Sequence, residues 1–201
     1  MRDGAATGLV LAQLDQMAAR GKPVLWVQDR LSEREGGRPC LRGIELAERP
    51  ILRVAARNAV EALWAMEEGL ECTALSAVIG EIWGDPRVLD FTATKRLALR
   101  SLRGGVPLWL IRGDGTGTLS VAPDRWDVRS LPSIPNGLDA RAPGSALWQA
   151  KLFRSRRQAP GIWVASHDRA AHRLHLAAPL RDGALGTGSG AQGTPRPRAL
   201  G

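Results

Sequence analysis

Apolar positions in the first half of the chain follow two alternating patterns. In residues 7–20 they recur every three or four positions, which predicts an amphipathic helix. Short runs that are apolar throughout predict strands covered on both faces, and these runs are residues 24–27, 50–54, 74–79 and 106–111. Helical patterns separate the runs. The first half is therefore predicted to form βαβ crossovers in a mostly parallel sheet flanked by helices, an α/β fold.

Capping residues locate two further helices. Asn58, with Glu61 three residues later, forms a capping-box-like pair, and Thr92 or Thr94 is expected to cap the next helix. On the first of these helices, the side chains expected to face the core are Val60, Leu63, Trp64 and Leu70. On the second, the basic side chains expected on the solvated side are Lys95, Arg96, Arg100 and Arg103.

The second half of the chain has shorter apolar runs that follow turn signals. Residues 132–143 form a proline-rich connection, and the strands predicted after it are residues 146–156, 161–166 and 172–177. This section is predicted to be antiparallel. From residue 181 on, Gly, Thr, Ser and Pro dominate, so we expect one domain over residues 1–180 and a disordered tail over residues 181–201.

The composition is typical of a folded protein of the reducing cytosol. The chain has 201 residues, 44% of them apolar, which is enough for one globular core without disulfides or a metal. Its two cysteines, Cys40 and Cys72, form no CxxC pair. The longest apolar runs are far below the roughly 20 residues of a membrane-spanning helix, and the start lacks the apolar core of a secretory signal. We therefore expect a cytoplasmic protein without membrane contact.

The formal net charge of +8 is unevenly distributed. Residues 1–150 carry 19 basic and 18 acidic side chains, whereas residues 151–201 carry nine basic and two acidic ones. A local excess of basic side chains favours contact with a polyanion, so any such contact is expected in the C-terminal quarter. Arg far outnumbers Lys, which is typical of GC-rich genomes and lowers the functional weight of each single arginine.

Sequence motifs for nucleotide chemistry are missing. A phosphate-binding loop needs GxxxxGK[ST], and no such run occurs. The glycine-rich residues 113–117 follow a predicted strand, but no helix opens after them, which favours a solvated loop. Glu81 ends an apolar run where an ATPase of this architecture could hold a magnesium-linked carboxylate. Without the loop and its lysine, we expect Glu81 to face solvent, and we expect no cofactor and no catalytic residue.

Three histidines, His167, His172 and His175, raise the question of a metal site. His172 and His175 lie in one predicted strand, where side chains alternate between the two faces, so these two point apart and cannot share a metal. Structural roles are expected for all three, and no metal site is predicted.

A basic cluster at the start of the charged quarter is the main candidate for a binding site. Its members are Lys151, Phe153, Arg154, Arg156 and Arg157, close to Trp148. Guanidinium groups pair with phosphates in bidentate fashion, and an aromatic face can stack on an unpaired base. The sequence therefore indicates contact with single-stranded DNA or with an acidic partner, while an ordinary solvated strand end remains compatible with the same residues.

Strand alternation divides this cluster between two faces. One face is predicted to hold Lys151, Phe153 and Arg157, and the other Trp148, Leu152, Arg154 and Arg156. Because Trp148 and Leu152 are core candidates, Arg154 and Arg156 are expected either to lie beyond the edge of the core or to pair with carboxylates.

Several sequence blocks occur in an order that is known from one family. The most specific are residues 61–70 (EALWAMEEGL) and 74–81 (ALSAVIGE) in combination. The others are residues 22–27 (KPVLWV), 89–97 (LDFTATKRL), 105–107 (GVP), 125–126 (RW), 154–157 (RSRR) and 160–163 (PGIW). Together, from about residue 7 to residue 180, they resemble the ImuA family, RecA-like accessory proteins of inducible mutagenesis.

The resemblance implies a RecA-type fold and an accessory role, without a reaction of its own, in error-prone translesion synthesis after the SOS response to DNA damage. Its implied partners are an ImuB-like protein, which is a catalytically inactive relative of Y-family polymerases, and a DnaE-type error-prone polymerase. Two other classes stay open. One is an ATP-dependent, RecA-like DNA-binding ATPase whose phosphate loop is encoded upstream, and the other is a cell-division inhibitor of the SulA type.

The start of the chain departs from the pattern of a RecA-type core. Such a core normally begins with a strand and a phosphate loop before its first helix, whereas this chain begins almost at that helix, with residues 4–8 (GAATG) as the expected remnant of the loop region. Either the gene start lies further upstream or this member lacks the first strand. A missing central strand would leave an exposed edge, which a partner chain could cover.

Overall fold

The computed structural model describes residues 3–17, 21–40, 50–115, 120–139 and 141–177. The elements are α1 (Ala5–Asp15), β1 (Val24–Asp29), α2 (Arg30–Gly36), β2 (Ile51–Ala56), α3 (Ala59–Glu71), β3 (Ala77–Trp83), α4 (Phe91–Gly104), β4 (Leu108–Gly113), β5 (Asp124–Leu131), β6 (Leu147–Ser155), β7 (Gly161–Asp168) and β8 (Arg173–Ala177). The predicted tail, residues 181–201, lies outside the described residues.

The first four strands form a parallel sheet in the order β2-β1-β3-β4. Val24 of β1 is in register with Ile51 of β2 and with Ala77 of β3. The predicted parallel sheet is therefore confirmed. β3 and β4 are hydrogen-bonded directly, with Val78 opposite Leu108, so the sheet has no gap at its centre and its open edges belong to β2 and β4.

The last four strands form a separate antiparallel sheet in the order β5-β6-β7-β8. Each strand pairs with the next along the chain, so the predicted antiparallel section is confirmed. β5 runs from Asp124 to Leu131 and precedes the proline-rich connection. β8 begins at Arg173 and leaves His172 in the preceding turn.

Helix α1 lies between the two sheets and is buried on two sides. Val10 and Leu14 pack against the parallel sheet, in a cluster that includes Trp26 and Ile79. On the opposite side of the helix, the residues that pack against the antiparallel sheet are Ala5, Leu9 and Ala12, with Trp148, Ala150 and Ala165 as their partners. A helix covered on both sides explains why its sequence is apolar around most of its circumference.

Residues 4–8 do not form a remnant of a phosphate loop, which corrects the sequence expectation. Gly4 is the N-cap of α1, and Gly8 is part of the helix. A Cβ atom on Gly8 would lie 2.7 Å from the Trp148 ring, so glycine is required here for close packing between α1 and β6.

Helices α3 and α4 cover the other face of the parallel sheet. Leu63 and Leu70 are in this core, as predicted, together with Met66. Val60 and Trp64 are not, since they are 57% and 66% exposed. The buried stripe of α3 runs through Ala59, Ala62, Leu63, Met66 and Leu70, and the helical turn places Val60 and Trp64 outside it.

The caps of these helices are partly those expected from the sequence. The Asn58 side chain accepts a hydrogen bond from the backbone N–H of Glu61 (3.0 Å), which confirms the cap of α3. Helix α4 is capped by Asp90, which accepts from the N–H of Ala93 (2.7 Å), and not by Thr92 or Thr94. Asp90 precedes the helix in extended conformation, the geometry that an N-cap requires, whereas both threonines lie inside the helix.

Candidate nucleic-acid interface

The predicted basic cluster lies at one end of the antiparallel sheet, where β6 leaves its pairing with β5 and turns into β7. Trp126 is opposite Leu152, but the next residue of β5, Arg125, is opposite Arg154. Phe153 therefore has no partner on β5 and forms a β-bulge. Bulges bend a strand and redirect side chains, which changes the assignment of faces beyond this point.

The bulge overturns the predicted division of the cluster between two faces. Asp127 is opposite Lys151, and Arg125, two residues from Asp127 on β5, is on the same face of that strand. Because Arg154 is opposite Arg125, Arg154 shares the face of Lys151 and not that of Leu152. In agreement, Leu152 is fully buried while Arg154 is exposed.

Arg125 and Arg154 bring two positive charges directly opposite each other on adjacent strands. Burial lowers the pKa of Arg125 below its ordinary value, and the positive charges of Arg154 and Arg156 lower it further. Like charges at directly opposed positions destabilise a sheet unless an anion lies between or above them. The Arg125 guanidinium also donates to the backbone oxygen of Ser120, which fixes its position.

The acidic residues near the cluster neutralise only part of it. Asp124 accepts from the Ser155 hydroxyl (2.7 Å) and forms an ion pair with Arg157. The hydrogen bond from Ser155, followed by that from Arg157, lowers the pKa of Asp124 below its ordinary value. Among the described residues, no carboxylate forms an ion pair with Arg154 or Arg156. Within the predicted cluster, Arg157 is thus neutralised by Asp124, whereas Arg154 and Arg156 have no carboxylate partner among the described residues.

The basic edge, as we call Arg125, Arg154 and Arg156 together, has one exposed aromatic ring beside it. Phe153 is 42% exposed at the bulge. Trp148 is buried and packs against α1, so it is part of the core and not of this surface. An exposed phenyl ring adjacent in sequence to the exposed Arg154 favours stacking of an unpaired base beside a phosphate backbone.

Sequence reasoning found five side chains at this end of the sheet and missed Arg125. The residues Lys151, Phe153, Arg154, Arg156 and Arg157 are all exposed at this end of the sheet. Arg125 is far from them in sequence, and only the β5 to β6 register brings it opposite Arg154. A pattern search along the chain has no signal for such a pair.

A second polar group of side chains lies at the carboxyl ends of β1 and β3, between which the strand order reverses. Ligands of open α/β sheets bind at such positions. Glu81 lies two residues before the end of β3 and is buried, whereas we expected it to face solvent. Its carboxylate accepts from Gln28 Nε2 (2.7 Å) and from the Thr7 hydroxyl (3.3 Å). Gln28 Nε2 also donates to the backbone oxygen of Gly37 (2.9 Å), which connects the group to the loop after α2.

Two of the three histidines meet a buried carboxylate. Asp15, the last residue of α1, is 3% exposed. Its oxygens lie 2.9 Å from His167 Nε2 and 2.9 Å from His172 Nδ1. Structural roles for His167 and His172 fit these contacts, although nothing in the sequence indicates that they share one partner. His172 has a positive φ of 50° in the turn before β8, and it is this turn, not strand alternation, that directs its ring to Asp15.

No group of three or more His, Cys, Asp or Glu side chains within the described ranges is arranged to hold a metal ion. Among the helices of the described part of the chain, none has the length and apolar character that a membrane span requires.

Comparison with known proteins finds relatives that cover most of the chain. Protein ImuA from each of two strains of Caulobacter vibrioides is 28% identical over 184 residues, which cover 86% of this chain and 72% of the relative. No family model matches the chain. The similarity over most of both chains confirms the resemblance to the ImuA family that the sequence blocks indicate.

Proposed function

We propose that this protein is a non-enzymatic accessory factor of DNA-damage-induced, error-prone translesion synthesis, and that its basic edge binds single-stranded DNA. The proposed partners are an ImuB-like Y-family protein and a DnaE-type polymerase in the cytoplasm. The similarity to Protein ImuA supports the pathway. The observation that carries the DNA contact is the direct opposition of Arg125 and Arg154.

The physical argument for DNA starts from the cost of that opposition. Two guanidinium groups at directly opposed positions repel each other, and the nearby Arg156 adds a third positive charge. A phosphate placed over the exposed Arg154 and Arg156 reduces the repulsion and accepts hydrogen bonds from their planar groups. Successive phosphates of a single strand can pass along the edge while a base stacks on Phe153, as in other proteins that bind single strands without sequence preference.

The fold is also part of this proposal. Four parallel strands with helices on both faces and the order β2-β1-β3-β4 agree with a RecA-type core, as the family resemblance implies. In this reading the polar group around Glu81 has a structural role, since Gln28 and Thr7 already donate to its carboxylate. The accessory role then rests on binding surfaces and not on nucleotide hydrolysis.

DNA binding is tested by fluorescence anisotropy with a labelled oligo(dT) strand over a series of salt concentrations. The triple variant Arg154→Ala, Arg156→Ala, Arg157→Ala should bind more weakly and with a smaller salt dependence. Each lost phosphate contact lowers the slope of log K against log salt by about 0.7 for single strands. Arg157→Ala alone should have little effect, because Asp124 already neutralises that side chain.

The matched control removes two exposed basic residues from another surface. Lys95→Ala with Arg103→Ala, on α4, changes the net charge as much as Arg154→Ala with Arg156→Ala does. If both double variants lose the same affinity, binding follows net charge and the proposed edge is wrong. Unchanged affinity and salt slope in the folded triple variant would exclude the edge as a DNA site.

The accessory role is tested by co-purification with the ImuB-like protein and the DnaE-type polymerase of the same organism. We expect a complex that forms equally with and without ATP. ATP hydrolysis by the isolated protein that single-stranded DNA stimulates would replace the proposal with a RecA-like ATPase.

A further inference from the structure

The solvent side of the α3 and α4 layer carries an unusual concentration of large apolar side chains. Trp64 is among the most exposed of them, and Leu102 is 80% exposed. We call this surface the α3–α4 face, and its exposed apolar members are Val60, Trp64, Phe91, Leu99 and Leu102. Several large apolar side chains exposed on two neighbouring helices mark a candidate interaction site, because single exposed side chains are common but groups of them are not.

The apolar residues of α4 form one stripe. Phe91, Leu99 and Leu102, with Lys95 between the first two, are spaced three or four residues apart and therefore lie on one side of the helix. The opposite side of α4 carries Ala93 and Leu97 into the core. The stripe is thus the outward side of a helix that is anchored by its other side, and it is available without any rearrangement.

Charges beside the stripe are positive and uncompensated. Lys95 and Arg103 are exposed on α4, and no carboxylate among the described residues pairs with either of them. The neighbouring carboxylates of α3 already have partners, since Glu67 pairs with Arg96 (3.0 Å) and Glu71 with Arg100 (2.7 Å). Lys95 and Arg103 are therefore available to pair with negative charge on another molecule.

We propose that the α3–α4 face is a docking surface for an acidic amphipathic segment of another protein, one that sets large apolar side chains on the stripe and carboxylates over Lys95 and Arg103. Trp64 is the anchor, because exposed tryptophans that become buried contribute most to such interfaces. The chain's own C-terminal residues 178–201 are a poor match, since they carry three arginines and one aspartate. An anionic membrane is disfavoured because the exposed Glu68 and Glu71 would face it.

This surface is independent of the proposed DNA contact. The α3 and α4 layer covers one face of the parallel sheet, whereas α1 and the antiparallel sheet with the basic edge lie on the other. A partner on the α3–α4 face therefore leaves the basic edge open, and variants of either surface can be tested without disturbing the other.

The test uses two designed peptides of about four helical turns each. One carries Leu along one side and Glu elsewhere, and its twin carries Lys in place of Glu. Isothermal titration calorimetry should show binding of the acidic peptide only. The Trp64 indole N–H resonance, assigned by comparison with Trp64→Phe, should shift on binding.

Variants of exposed residues separate the apolar and charged parts of the contact. Leu99→Ser with Leu102→Ser should abolish measurable binding of the acidic peptide. Lys95→Glu with Arg103→Glu should weaken it by about tenfold and permit binding of the Lys twin. Both double variants should retain the single-stranded DNA affinity of the parent if that protein binds DNA, and their circular dichroism spectra should show that they remain folded.

Several results would overturn the proposal. Equal binding of the two peptides, or no effect of Lys95→Glu with Arg103→Glu, would show that the partner of this face is not acidic. Sedimentation that shows a dimer which Leu102→Ser dissociates would assign the face to a second copy of this chain. Binding to anionic phospholipid vesicles that requires Phe91 and Leu99 would assign it to a membrane. Loss of DNA binding in the Arg154 and Arg156 variants leaves this proposal unaffected.

Discussion

Removing the contact between Asp15 and two histidines tests most directly how the antiparallel sheet is held against α1. The Asp15 side chain is almost completely buried. Two ring nitrogens, His167 Nε2 and His172 Nδ1, each lie 2.9 Å from one of its oxygens, within hydrogen-bond distance. Asp15→Ala leaves both nitrogens without their partner in a place that water reaches poorly.

The magnitude follows from the number and kind of these contacts. A buried hydrogen-bonding group that loses its partner costs about 1–3 kcal/mol, and Asp15→Ala removes the partner of two such groups. His172 is partly exposed and can recover some hydration. We therefore expect Asp15→Ala to lower the free energy of unfolding by about 3 kcal/mol, and Asp15→Asn, which keeps one accepting oxygen, by about half as much.

The assay is equilibrium unfolding in urea, followed by tryptophan fluorescence and far-UV circular dichroism together. A loss of stability should appear as a lower midpoint with an unchanged slope, since the surface exposed on unfolding is the same. A matched control is Asp127→Ala, which removes an aspartate that is paired with Arg129 near the protein surface. If Asp15→Ala and Asp127→Ala have equal midpoints, the two histidines do not depend on Asp15 and the reasoning is wrong.

Two further predictions concern α1 and the hairpin end. Gly8→Ala should lower the free energy of unfolding by about 1 kcal/mol in the same urea assay, because overpacking against the Trp148 ring outweighs the better helix propensity of alanine. Adding Trp148→Phe to the Gly8→Ala protein should reduce this loss. A Gly8→Ala protein that is more stable than the parent would contradict the close approach of α1 to Trp148. The pKa of Asp124 is lowered in the folded state, so its ionised form stabilises the fold above its ordinary pKa of 3.8, and that stabilisation is lost as the pH falls through the lower folded value. Asp124→Asn should therefore reduce stability at pH 7 and have a much smaller effect at pH 2, whereas an equal loss at both pH values would show that the charge of Asp124 is irrelevant.

The elements that the sequence predicts correctly are those set by local chemistry. Four apolar runs became the four strands of the parallel sheet, although β3 begins three residues later than the run that predicted it. Asn58 caps α3 because its side chain, the helix start and Glu61 are close in sequence. Helix α2 was missed, because Arg30–Gly36 is short and polar and its cap, Asp29, belongs to the strand before it.

The features that could not be predicted depend on contacts between distant parts of the chain. In a strand without a bulge, alternation would place Arg154 on the core face, as predicted. The bulge at Phe153 shifts the register and places Arg154 on the opposite face. The burial of Glu81 depends on Gln28 and Thr7, which reach it from β1 and α1. The surroundings of Arg154 and Glu81 are thus determined by pairing and contacts between distant parts of the chain, and not by the residues nearby in sequence.

Helix α1 determines how the two proposed surfaces are placed relative to each other. Its Leu14 side packs on the parallel sheet, whose far face carries α3 and α4, and its Leu9 side packs on the antiparallel sheet that carries the basic edge. Gly8 allows the close approach to Trp148, and Asp15 ties the far end of the same helix to His167 and His172. Both ends of the helix are thus attached to the antiparallel sheet, which restricts rotation of that sheet about α1. A partner on the α3–α4 face and a DNA strand on the basic edge would therefore be held in a fixed relation by one helix that touches neither of them.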